Sequence, residues 1–79
     1  DDHHFKFSAR LEVDYINETY HLELPERDEY GTLGGLIVHE TGEIPSLNES
    51  INIGQFSFTI LEVSGNKIDM VSLRVLEND

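Results

Sequence analysis

Histidine and carboxylate side chains supply most of the chemistry this chain could offer. Asp1, Asp2, His3 and His4 mix oxygen and nitrogen ligands at one end and could hold a divalent ion weakly. Adjacent residues in a terminal stretch make no preformed site, however, so metal ligands are expected at none of these positions. His21 and His39 lie outside any H-E-x-x-H or paired-ligand spacing and read as surface or edge positions. The acid pairs Asp28–Glu29 and Glu40/Glu43 would need burial, or a like-charged neighbour across a cleft, to act as general acids. Nothing in the sequence sets them across one. Serine and threonine are plentiful, but no G-x-S-x-G surrounds any of them. No catalytic residue is expected, and the chain reads as a non-enzyme.

The adjacent glycines Gly34 and Gly35 are the other chemically suggestive feature. A Gly pair at the start of a helix can cradle phosphate, but no Lys-Ser or Lys-Thr follows and the G-x-G-x-x-G spacing is missing. The expected use of the pair is close approach of the helix to a sheet, where a side chain would collide. Gly34, Gly35 and the Gly54 turn are therefore the only weak candidates for backbone donors to a flavin or adenine nucleotide, and no cofactor is expected from the residues themselves.

Composition narrows the function classes. Sixteen Asp plus Glu against five Lys plus Arg give a formal net charge of -11 over 79 residues. Nucleic acid repels such a field, because its binding depends on clustered cations neutralising phosphates. Contact with an anionic membrane surface is disfavoured on the same ground. The longest apolar run, Leu36–Val38, is far too short to insert in a bilayer. Without cysteine there is no disulfide scaffold, thiolate metal site or thiol nucleophile. The length suits one small domain, and the start without Met leads to the expectation of a piece cut from something longer.

The elements that must position these groups follow from hydrophobic period. Phe5, Phe7, Ala9 and Leu11 alternate with polar residues as a half-buried strand. Val13, Ile16 and Tyr20 then fall three and four apart, predicting a short helix over 14–20, with Asp14 as cap and Asn17 three residues on. Leu22 and Leu24 alternate until Pro25 stops regular structure, and 26–29 form a charged, solvated loop. Thr32 caps a second helix that buries Leu33, Leu36 and Ile37 and ends at Gly42. Ile51 and Ile53 make a short strand, Gly54–Gln55 a tight turn, and Phe56–Val63 a long strand. In that strand Leu61 and Val63 shift the apolar set, so either both faces are covered there or a bulge sits near Ile60. A three-residue turn, Ser64–Asn66, leads to a last strand over Ile68–Leu76. Phe5, Phe7, Phe56 and Phe58 are expected in the core, while Tyr15, Tyr20 or Tyr30 could serve a partner interface. The pattern predicts an α+β two-layer sandwich, two short helices on one face of a mostly antiparallel sheet. Residues 5–76 are expected to form its single domain, with 1–4 and 77–79 as flexible ends.

Several stretches together carry a family resemblance. They are Val13–Glu18, Leu24-Pro25-Glu26, Thr32–Ile37, Gly42-Glu43-Ile44-Pro45, Phe58–Val63 and Lys67-Ile68 with Val71 and Arg74. In this order they resemble the transporter-associated domain of the CorC/HlyC family. Two positions depart from the family pattern: Ser8-Ala9 stands where an Asp-Gly step is usual, and Asn48 stands before Glu49 where the turn usually has Gly. The resemblance implies a C-terminal accessory or regulatory domain of a membrane ion transporter, of the haemolysin-like or magnesium and cobalt efflux kind. It also implies partners in the CBS and membrane domains of the same polypeptide, a place on the cytoplasmic side of the cell membrane, and a shape related to a FAD-binding subdomain of flavoenzymes. The alternatives are a flavin- or adenine-nucleotide-binding module, or a purely structural module, including a homo-dimer.

Overall fold

The computed structural model describes residues 3–76. Six elements follow one another: β1 (His4–Ser8), α1 (Val13–Tyr20), α2 (Leu33–Thr41), β2 (Ser50–Ile53), β3 (Phe56–Ser64) and β4 (Lys67–Val75). The strands form one antiparallel sheet in the order β1-β4-β3-β2. Rows of directly paired residues share a face. Phe7, Val71 and Ile60 make one row, and Phe5, Leu73, Phe58 and Ile51 the next. These rows meet Val13, Ile16, Leu33, Leu36 and Ile37 from the helices in a single apolar core. Both helices therefore cover the same face, as the sequence pattern requires. The opposite face carries His4, Lys6, Ser57, Thr59, Ser72 and Arg74 and is open to solvent.

β1 is shorter than its alternation suggests. After Ser8 the Leu11 N–H turns back to the Ser8 carbonyl at 3.2 Å, and Glu12 forms an isolated bridge to Thr32. Residues 9–12 leave the sheet to meet the start of α2, where the Leu33 N–H donates to Leu11 O at 2.8 Å. α1 begins at Val13 with Glu12 as its cap residue and no side-chain cap bond. Asp14 is not the cap but lies in the first turn, where its charge favours the positive end of the helix. Asn17 has a different use. Its amide donates to Leu24 O (2.9 Å) and Glu26 Oε2 (2.8 Å), and its oxygen accepts from the Leu24 N–H (2.9 Å). That clamp holds an extended segment that has no strand partner and places Leu24 in the core.

The cap at Thr32 is present, its hydroxyl accepting from the Gly35 N–H at 3.2 Å, and Gly42 ends α2 at φ 80°. Asn48 takes φ 68°, a conformation the amide side chain tolerates better than most, so the turn survives without Gly. The turns either side of β3 each have two residues, with Gly54 and Gly65 first at φ 60° and 61°. The β3–β4 connection is thus one residue tighter than the sequence suggests. Register shifts at Ile60/Glu62 and Glu62/Val63 confirm an irregularity beside Ile60. They reverse the parity of β4, which is why Ile68, three residues before Val71, is also buried. The expected flexible ends fall, at residues 1–2 and 77–79, outside the described residues; His4 opens β1.

Candidate functional site

Where β1 leaves the sheet, a cleft of about 420 Å³ opens between α2 and the start of β4. Ala9, Val38, Ile44 and Ile68 give it an apolar floor, with Gly34 and Gly35 on the helix side and Arg10, Asn66 and Lys67 at the rim. Its volume lies in the usual range for ligand clefts, about 300–1,000 Å³.

The glycine pair shapes this cleft in a way the sequence only half reveals. A Cβ on Gly34 would sit 3.2 Å from the Ala9 Cβ and 3.3 Å from its carbonyl oxygen. The close approach is locked by the Gly34 N–H, which donates to that oxygen at 2.9 Å. Gly35, expected to pack α2 on the sheet, instead faces the preceding loop, where an added Cβ would lie 3.0 Å from the Tyr30 Cβ. The contact that requires Gly belongs to Gly34, and its partner is the residue just past β1.

A flavin or adenine nucleotide needs free backbone donors for its phosphates. At α2 they are engaged. Leu33 donates to Leu11 O, Gly34 to Ala9 O, Gly35 to Thr32 Oγ1 and Leu36 to Thr32 O. Gly54 lies elsewhere, in a wide shallow depression shared with Glu23, Glu40 and Arg27, where two carboxylates stand against one cation. The structure thus brings Gly34 and Gly35 together but not Gly54, and the pair does not fit a pyrophosphate cradle.

The titratable candidates stand apart from the cleft. His21 ends α1 in the left-handed conformation. His39 packs its ring 5.4 Å from that of Tyr30, whose hydroxyl donates to Pro25 O at 2.8 Å. Burial pushes the Tyr30 phenol above its ordinary value; Arg27 opposes the rise, and Glu40 and Glu29 add to it. His4 hydrogen-bonds Ser72 across β1 and β4. Asp1 and Asp2 lie outside the described residues, among which no group of three or more His, Asp or Glu is gathered as a metal site needs. Of the aromatics, Phe7, Phe56 and Phe58 are buried and Phe5 packs against the core. Tyr15 and Tyr20 are exposed, and Tyr20 sets its ring edge-on to Phe5 and Phe7.

Sequence reasoning missed Arg10, Val38 and Asn66, which belong to no recognised motif. The available signal was convergence: Thr32–Ile37, Gly42–Pro45 and Lys67-Ile68, distant in sequence, all contribute to this one cleft. A sequence-family profile described as Transporter associated domain, CorC_HlyC, matches residues 1–77. The chain belongs to the CorC/HlyC family.

The chain is 35% identical over 74 residues to the magnesium and cobalt efflux protein CorC of Buchnera aphidicola subsp. Acyrthosiphon pisum, covering 94% of this chain and 25% of that protein. It is 32% identical over 79 residues to Hemolysin C of Brachyspira hyodysenteriae, covering all of this chain and 30% of the relative. The CorC_HlyC domain from a Xylella fastidiosa Temecula1 hemolysin, solved in complex with Mg²⁺ and Mn²⁺, shares the fold with a TM-score of 0.79 at 24% identity. That match covers 94% of this chain and 89% of the other. The chain thus spans under a third of the full length of these curated relatives. It is a transporter-associated domain of the CorC/HlyC family, which is associated with magnesium and cobalt efflux and haemolysin-like proteins. No helix among the described residues is long and apolar enough to cross a membrane.

Proposed function

We propose that residues 5–76 are the regulatory accessory domain of a membrane ion transporter, on the cytoplasmic side, modulating transport through contacts with the CBS and membrane domains of the same polypeptide. The observation that carries this reading is the α2–β4 cleft. Three stretches that mark the family converge on it, and two of its apolar lining residues, Val38 and Ile44, stay partly exposed. Such a surface suits a partner better than a reaction, because no nucleophile, base and oxyanion donors are grouped around it.

The magnesium and manganese held by the Xylella domain suggest a competing role, that of an ion sensor. Magnesium requires near-octahedral oxygen geometry and calcium six to eight oxygens. The described residues offer diffuse negative charge instead, which salt screens. Titration calorimetry of magnesium or cobalt at about 0.15 M salt is therefore expected to show no saturable binding tighter than about 100 µM. A stoichiometric micromolar site that persists without residues 1–4 would replace the accessory reading with that of a sensor.

A further inference from the structure

The chemistry of the cleft says what kind of group covers it. Its floor, formed by Ala9, Val38, Ile44 and Ile68, is apolar, so the occupant must bring an apolar group. Its rim holds Arg10 and Lys67, two of only five Lys plus Arg in a chain of net charge -11. Neither has a carboxylate at ion-pair distance among the described residues. Both cations are exposed and stand beside the partly exposed apolar side chains of Val38 and Ile44. A partner with carboxylates flanking an apolar side chain would meet both features.

Strand pairing indicates the shape of that partner. β1 pairs with β4 from His4↔Arg74 to Ser8↔Met70, and the last hydrogen bond on that side runs from the Ala9 N–H to Asp69 O. Lys67 and Ile68 continue β4 with β3 on one side and no strand on the other. An extended segment laid there lengthens the sheet and points alternate side chains into the cleft. Two rim cations are too few for nucleic acid against the repulsion of the remaining acids.

We propose that this cleft binds a short extended polypeptide segment in which an apolar side chain lies between acidic ones, the carboxylates pairing with Arg10 and Lys67. The source of the segment, the remainder of the full-length protein, rests on the accessory-domain reading; the binding chemistry does not.

The test is a titration of the ¹⁵N-labelled 79-residue chain, followed by amide shifts, with a capped pentapeptide Glu-Ile-Glu-Ile-Glu. The basic analogue Lys-Ile-Lys-Ile-Lys and octanoate serve as comparison probes. Saturable shifts are expected around Arg10, Gly34, Val38, Ile44 and Lys67-Ile68, with no comparable response to the basic peptide. The double variant R10E/K67E changes two exposed side chains, retains the folded spectrum and is expected to weaken binding at least about tenfold. Four outcomes overturn the proposal: no saturation by about 5 mM peptide, shifts centred on another surface, equal binding of the basic peptide, or tighter binding of octanoate, which would make a small amphiphile the occupant. The titration involves no transport, so its failure removes the assigned occupant without deciding the accessory role.

Discussion

Replacing Gly34 by Ala sets two effects of similar size against each other. Ala is favoured over Gly in a helix interior by about 1 kcal/mol, and by less in the first turn, where this residue lies. The added methyl would sit 3.2 Å from the Ala9 Cβ and 3.3 Å from the Ala9 oxygen. Both distances are shorter than ordinary carbon contacts, and the 2.9 Å hydrogen bond from the Gly34 N–H to that oxygen prevents α2 from simply backing away. Overpacking of this kind costs about 1–3 kcal/mol. The steric effect therefore prevails, and G34A should lose about 1–2 kcal/mol net, a fall in Tm of roughly 4–16 °C for a domain of this size. Urea and thermal unfolding followed by circular dichroism measure both quantities. The double variant A9G/G34A removes the methyl–methyl contact but leaves the carbonyl contact, so a coupling of about 0.5–1 kcal/mol towards rescue is expected. If G34A is instead stabilised by the full propensity difference, α2 does not rest on Ala9 and the geometry of the cleft is wrong.

Two further perturbations probe the elements around the site. Asn17→Ala breaks the clamp on Leu24 and Glu26 and leaves the backbone groups of Leu24 without their side-chain partners. A loss of about 1–3 kcal/mol in urea unfolding is expected, and an unchanged midpoint would show that the 22–26 segment holds its course unaided. Tyr30→Phe removes the hydrogen bond to Pro25 O at a cost of about 0.5–1.5 kcal/mol. It should also change the alkaline limb of stability. Because the folded phenol is held above its ordinary value of 10.0, the unfolded chain gives up this proton first. The contribution is thus fully present below that value and lost as pH rises through the folded one. Stability curves between pH 8 and 11 should fall more steeply for the wild type than for Y30F, and parallel curves would contradict the assignment.

The layers of this fold were legible because each element follows a single period. Phe56, Phe58 and Ile60 alternate onto one face of β3, and Leu33, Leu36 and Ile37 line the buried face of α2. The α2 cap at Thr32 and stop at Gly42 were equally plain, since each follows from a local backbone requirement. What was not legible depended on contacts distant in sequence. Alternation through Leu11 could not show that the chain turns at Ser8, because Ala9 and Leu11 are drawn off to accept hydrogen bonds from α2. Asn17 at the third position after Asp14 mimicked a capping box, whereas its partners lie seven and nine residues on. The site was half visible. The Gly34-Gly35 pair pointed to it, but which glycine touches what depends on the path of residues 9–12. Arg10 and Lys67 looked like isolated cations until the fold placed both at one rim.

The central claim, that this domain adjusts an ion transporter without carrying the ion, is most directly tested by cobalt flux into proteoliposomes. The parent full-length protein would be compared with the same protein lacking residues 5–76. The account predicts that flux persists in the shortened protein with a changed rate or a changed dependence on ion concentration. Complete loss of flux from a correctly folded membrane region would place the domain within the transport path. Flux identical in rate and concentration dependence would show that it regulates nothing.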